Sequence, residues 1–412
     1  MNKFFKKLLI FLAVLGPSTI TTMAGNDGAG VTTYSLAGAN FGYAILLTLP
    51  FLLILTTVTQ EMGSRIAIVT GKGLGDLIRE KYGIKIALLI FSCLFIANFG
   101  SILANMAALK AASQILGIPT LPFLITVVTF AFILVTRADY KTTQKIFLFG
   151  LVLYLSYVIS AIMGKPNWAD AFKGLVIPTK SVFTREYIIT AMAVLGTTIT
   201  PWGQFFVQSY MKDKKISTDQ IQYGRLEAFV GSALANSFTF FMIVATASTL
   251  FVHKIALTSG EQAAEAIRPF AGDFSAILFS IGLINASIIG MVVISLTISY
   301  AFTEFFGFEG TLDAPFEKSK TFYKLFLINL IIAGILVMTP AISLFKIVIY
   351  TQSLNAILLP ILFYFLIKIT NNKELMGKFH NGRFSNYFAV GASILIIVAA
   401  VVAIVASLIN RF

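Results

Sequence analysis

Charge is what this 412-residue chain has least of: Asp, Glu, Lys and Arg together make up 12% of it. Soluble domains carry about 25%. Folded in water, the chain would have nowhere to hide its apolar surface. Cysteine is nearly missing too. Cys93 stands alone in an apolar run, so an intrachain disulfide is excluded and the thiol reads as core. Histidine is just as scarce. His253 and His380 both lie in polar connections, which excludes a His/Cys metal cluster. No apolar run carries a nucleophile–base pair, and no soluble domain is appended. These absences argue against an enzyme or a signalling receptor and call for no cofactor.

What is present is hydrophobicity: 57% of residues, with a mean hydropathy of +0.87. The chain reads as a polytopic membrane protein. Its net charge of +13 could suggest nucleic acid, but the bases are scattered through short loops between apolar runs. That is a topology signal. At the amino end, Lys3, Lys6 and Lys7 followed by Leu8–Leu15 have the shape of a signal peptide. The run continues without a break, however, and ten more follow, so it is read as the first span.

A helix needs about 20 apolar residues to cross the hydrocarbon core. Spans are expected near 8–38, 42–62, 84–113, 120–136, 143–163, 184–211, 223–252, 274–304, 323–340, 343–369 and 386–410. One set of connections holds roughly three times as many Lys and Arg residues as the other. The amino terminus is therefore expected in the cytoplasm and, with an odd number of spans, the carboxyl terminus outside.

The first span contains Gly25-Asn26-Asp27-Gly28-Ala29-Gly30. A carboxylate at membrane depth is costly and marks an ion or substrate path. The glycines beside it let the helix unwind and turn its carbonyls toward a ligand. A buried, satisfied kink is the plainer alternative, but a kink needs no charge. The sixth span carries Gly196-Thr197-Thr198-Ile199-Thr200-Pro201-Trp202-Gly203, a second break five spans later. Paired breaks in corresponding spans point to a transporter site between inverted repeats. The expected architecture is a single all-α transmembrane domain. Repeat one covers about 8–163 and repeat two about 184–369, with an extra helix at about 386–410.

On these residues the chain resembles the NRAMP family of divalent-metal transporters. The pattern runs from Gly16-Pro17 to Phe41-Gly42-Tyr43, and the family's Asp-Pro-Gly-Asn motif falls on Asp27–Gly30. Gln60 and Ile68–Lys72 are similar to its second span and the loop that follows. Asn236 is similar to a polar position of the seventh span, and Gln352 with Pro360 and Leu375–Gly377 to the tenth span and last loop. The resemblance implies the amino-acid-transporter-like fold, with metal held between the broken first and sixth helices.

The departures from the family pattern carry as much information. Gly30 stands where the family has an Asn ligand. Its Met-Pro-His becomes Thr200-Pro201-Trp202, and the third span shows Ser101 and Ala104 at positions where the family keeps acids for proton transfer. This combination resembles the NRAMP-related magnesium branch. A thioether favours softer metals, whereas hydroxyl, carbonyl, amide and water oxygens suit Mg²⁺, Ca²⁺ and Mn²⁺. Asp27 is then the one anionic ligand. The carbonyls of Ala24 and Thr197 are freed by the breaks, and Gly30 leaves room for water. Thr200, Gln352 and Asn26 are candidate contacts. Trp202, Pro201, Gly28, Gln60 and Asn236 shape the pocket.

Glu304 is read as the one other intramembrane acid and, with Asn98 and Asn105, as an interhelical hydrogen-bond partner. Lys110 is expected to snorkel, and Glu61–Arg65 to be a structural ion pair. The expected activity is uncoupled uptake of Mg²⁺, with Mn²⁺ also carried. The alternatives are a proton-coupled Mn²⁺/Fe²⁺ symporter and an organic-substrate carrier of the same fold. The latter would hold its carboxylate on free helix amides, which Asp27 would repel.

Overall fold

The computed structural model describes residues 16–255, 257, 263, 268–270, 272–339 and 344–409. The basic amino end, Leu8–Leu15 and Arg411 lie outside them. The described residues form eleven spans. The first is split into α1 (Pro17–Ala24) and α2 (Gly28–Phe41). The second is α3 (Thr48–Thr70), entered through a tight turn of helix at Gly42–Leu47, so it begins and ends later than its hydropathy suggested. The third is α4 (Leu74–Ile115). Gly83, at φ 80° and ψ 172°, divides it into a short helix over 74–82 and the membrane segment expected from residue 84.

Then come α5 (Thr120–Arg137), α6 (Tyr140–Leu153) and α7 (Leu155–Met163), the last two forming the fifth span. The sixth span is split into α8 (Arg185–Thr198) and α9 (Pro201–Lys214). The rest are α10 (Ile221–Thr246), α11 (Asp273–Phe306), α12 (Lys320–Met338), α13 (Leu344–Thr370) and α14 (Arg383–Ile409).

Inside a bilayer every backbone polar group must be satisfied within the protein. The helix ends show how. Asp139 accepts from Thr142 N (2.9 Å) to start α6, and Thr184 accepts from Tyr187 N (3.3 Å) to start α8. Lys110 donates to Val337 O (3.0 Å) at the end of α12, so it serves a helix terminus rather than reaching for the interface. Helix α11 is the central post and packs along α4, with α7, α9 and α12 around it.

Glu304, near the carboxyl end of α11, accepts from Ser209 Oγ (2.7 Å) and Gly75 N (3.1 Å), the interhelical role expected of it. Arg65 pairs with Glu61 (2.8 Å) as expected and also donates to Phe379 O and Asn381 Oδ1. Asn98 is fully buried, and neither of its side-chain polar atoms has a partner, against expectation.

Overall apolarity masks a buried acid in the seventh span. Glu227 of α10 has no exposed surface, and it accepts from the amides of Gly16 (3.1 Å), Ser18 (3.1 Å) and Thr19 (2.6 Å). Glu304 is therefore not the only other carboxylate within the spans. Glu227 caps α1 from a neighbouring helix, filling orphan donors that α1 cannot fill itself.

Candidate metal site between two broken helices

The first break spans Gly25–Asp27. In an unbroken helix the amide of Gly28 would bond to the carbonyl of Ala24. Here it donates to Asn105 Oδ1 of α4 (2.8 Å), so the Ala24 carbonyl loses its ladder donor. Asp27 begins α2 as its N-cap. Oδ1 accepts from Gly30 N (2.8 Å), and Oδ2 accepts from Asn105 Nδ2 (2.8 Å). The single Asn105 amide thus bonds both the carboxylate and the backbone beside it. Asn105 was expected to bridge helices. That its partner is Asp27 itself was not visible, because 78 residues separate them.

Glycine sets how closely the neighbours approach. A Cβ on Gly290 of α11 would lie 2.4 Å from Asp27 Cβ, so α11 rests directly on the carboxylate residue. A Cβ on Gly30 would lie 2.7 Å from Gly25 O. Gly30 is therefore required by the tight return of the chain, apart from any room it leaves for water. Gly28 faces Ser287 Oγ, an unpartnered buried hydroxyl of α11.

Asn26 turns the other way. Its Nδ2 donates to Ala235 O (2.8 Å) and its Oδ1 accepts from Thr239 Oγ1 (2.9 Å), which ties the break to α10. Tyr154 donates to the carbonyls of Met23 (3.1 Å) and Asn26 (3.3 Å). Both polar atoms of the Asn26 side chain are engaged in holding the break open.

The second break repeats the design with different chemistry. Thr200 is the N-cap of α9, and its Oγ1 accepts from Gly203 N (3.3 Å). Pro201 occupies the first helical position, where its missing N–H costs least. That same missing N–H deprives Thr197 O, four residues earlier, of a donor. The two breaks face each other: a Cβ built on Gly25 would lie 3.4 Å from Thr198 O and 4.0 Å from Thr197 O. Tyr34 of α2 and Thr198 share a hydrogen bond of 2.9 Å.

Around this junction lie buried oxygens without donors. Gln60 Oε1 on α3 and Gln204 Oε1 on α9 have no partner. Gln60 reaches Gly203, with its Nε2 3.9 Å from where a Cβ would stand. Unpaired buried acceptors call for a water or a cation. Asp27 is 4% exposed, Thr200 7% and Trp202 1%, so the junction is buried. Asn236 donates to Ser232 O and lines a groove with Leu49, Leu53 and Phe240 rather than the junction. Gln352 sits on α13, but its side chain is outside the described residues. Among the described residues no three His, Cys, Asp or Glu side chains are grouped to hold a metal. A cation at this junction would meet one carboxylate and otherwise neutral oxygens.

Residues 18–406 match the family described as Nramp, natural resistance-associated macrophage protein-like. The divalent metal cation transporter MntH of Klebsiella pneumoniae (strain 342) is 27% identical over 384 residues, which is 90% of this chain and 89% of that one. The crystal structure of the Eremococcus coleocola manganese transporter, in complex with an aromatic bis-isothiourea substituted compound, superposes with a TM-score of 0.79 at 17% identity. It covers 98% of this chain and 88% of that one. A mutant of the same transporter gives 0.78 at 18% identity, with the same coverage. At such identities the likeness is one of fold.

Proposed function

The chain belongs to the Nramp family, whose members are membrane transporters and not enzymes, and on that premise we propose that it carries hard divalent cations, Mg²⁺ foremost and Mn²⁺ with it. The observation that supports this most is the pairing of Asp27 with neutral oxygen chemistry. A capping hydroxyl, Thr200, stands where the family pattern has a thioether, and an amide, Asn105, lies against the carboxylate. Oxygen-only sites suit Mg²⁺ and Mn²⁺. The ligands we assign are Asp27, the carbonyls of Ala24 and Thr197, and Thr200 and Gln352, with retained water satisfying Gln60. Asn26, Gly28, Gly30, Pro201 and Trp202 shape the surroundings. The first five and the next five spans act as inverted repeats, with α14 appended. The amino terminus faces the cytoplasm.

We propose further that transport is uncoupled from protons. Intramembrane relays use Asp, Glu or His. The side chain that bonds Asp27 from α4 is an amide, Glu304 is engaged with Ser209 and Gly75, and Glu227 with three amides at the start of α1. An inside-negative potential then drives the cation, at about 2.3 kcal/mol per charge per 100 mV.

The manganese transporter among the structural relatives keeps a proton-coupled Mn²⁺ reading in view. Proteoliposomes with a clamped potential and an internal pH dye separate the two readings. Mg²⁺ uptake without acidification is expected. Acidification that scales with metal flux would overturn uniport, and flux of Mn²⁺ with none of Mg²⁺ would overturn the magnesium assignment.

A further inference from the structure

A groove of about 660 Å³ runs between α13, α14 and the start of α4, far along the chain from either break. Its two ends differ. At the end formed by the close of α13 it is walled by Lys81, Lys368, Asn371 and Asn372; deeper in, by Pro360, Ile367, Val390, Ile394 and Ile397. The wall residues of α13 recur every three or four positions from Pro360 to Asn371, so they form one stripe about 16 Å long. Half of a bilayer's hydrocarbon core is about 15 Å. On α14, Val390, Ile394 and Ile397 recur in the same way along the facing stripe. The groove has the length of one leaflet, with its basic groups at the interface end.

We infer that this groove binds an anionic phospholipid, its phosphate between Lys81 and Lys368 and one acyl chain along the α13–α14 seam. No carboxylate lines the groove. Glu80, next to Lys81, is engaged by Lys72 at 2.7 Å. Lys368 donates to the Tyr364 hydroxyl (2.9 Å) and keeps donors to spare, and Tyr364, 50% exposed, places its ring at the polar boundary where aromatic belts form. The head end is built in advance. Asn371 and Asn386 exchange two amide hydrogen bonds (2.8 and 2.7 Å) that staple α13 to α14. A preformed site avoids the ordering cost of binding.

The groove between α5, α6 and α11 makes the contrast. It measures about 310 Å³ and has no basic residue in its lining, so it offers a lipid tail a surface but no headgroup a partner. Assigning the lipid to the cytoplasmic leaflet rests on the orientation proposed above; the binding itself does not.

The test uses the full-length protein, delipidated in neutral detergent and titrated with phosphatidylglycerol or phosphatidylcholine of the same acyl chains, with retention read by native mass spectrometry. The wild type should retain phosphatidylglycerol preferentially. Each Lys near an anionic surface contributes a factor of about five, so Lys81→Gln with Lys368→Gln should reduce that preference about thirtyfold. Ile394→Trp, which fills the tail path, should weaken both lipids. Glycerol phosphate should fail to displace the lipid. Equal retention of the two lipids by the wild type, an undiminished preference in the lysine variant, or full displacement by glycerol phosphate would overturn the assignment. Both lysines are exposed and neither is among the assigned ligands, and the readout is lipid retention rather than transport.

Discussion

The two breaks are built to one plan and held with unequal firmness. In each, a polar N-cap accepts from the amide of a glycine three residues on: Asp27 from Gly30, Thr200 from Gly203. The first break is then secured from outside by Asn105 of α4, by Ala235 and Thr239 of α10, and by Tyr154 of the fifth span. The second has its own cap and the Tyr34–Thr198 contact. Its exposed backbone comes from a proline, which removes a donor without adding a bond. The firmly held break carries the charge, and the loosely held one carries only dipoles. A fixed anion determines whether a divalent cation stays at all; an adjustable neutral ligand can only grade one cation against another.

Removing the charge while keeping the cap is the strongest way to break this contrast. Asp27→Asn retains an oxygen for Gly30 but leaves a divalent ion facing neutral dipoles in a low-dielectric junction. Uptake in liposomes should be abolished with the protein still in the membrane. Near-normal Mg²⁺ or Mn²⁺ flux through this variant would remove the proposed site.

The next effect tests the external support. Asn105→Ala leaves Asp27 in place but frees one of its oxygens and the Gly28 amide. Partners that orient a ligand typically matter by tenfold or more in affinity. About a tenfold weakening of metal binding by calorimetry is expected. An unchanged affinity would show that the first break needs no bracing from α4.

The smallest effect should come from the second break. Thr200→Met introduces a soft ligand and removes a cap worth about 1 kcal/mol. Cd²⁺ binding should gain on Mg²⁺ severalfold, with a modest loss of thermal stability. Thr200→Ser, which keeps the cap, should leave the ratio alone. If Thr200→Met loses stability without changing the ratio while Thr200→Ser keeps both, Thr200 acts as a cap and not as a ligand.

Local pattern carried the sequence reading a long way. Length and hydropathy located the described spans, the second with bounds displaced toward the amino end, and the glycines, Pro201 and Asp27 located both breaks, because helix breaking is a property of neighbouring residues. Contacts across the fold were out of reach. Nothing near Asn105 says that its amide meets Asp27, and nothing near Asn26 says that it bonds α10 rather than the cation path. Glu227 was passed over because a span counted by overall apolarity absorbs one acid without complaint. The signal was there: an ionisable residue inside an apolar run needs a partner. The late start of α3 has a similar origin, since the tight turn at Gly42–Leu47 is as apolar as the helix it leads into.

Glu227 also has a mechanical consequence. Helix α1 is a rod of eight residues, notched by the break at one end and gripped by a carboxylate on three amides at the other. Such a rod has two ways to move. It can swing as a lever with α10 travelling alongside, or it can swing alone after three charge-assisted bonds part together. The first is a rigid-body stroke shared by two helices. The second has a sharp threshold, like a catch that holds until it lets go.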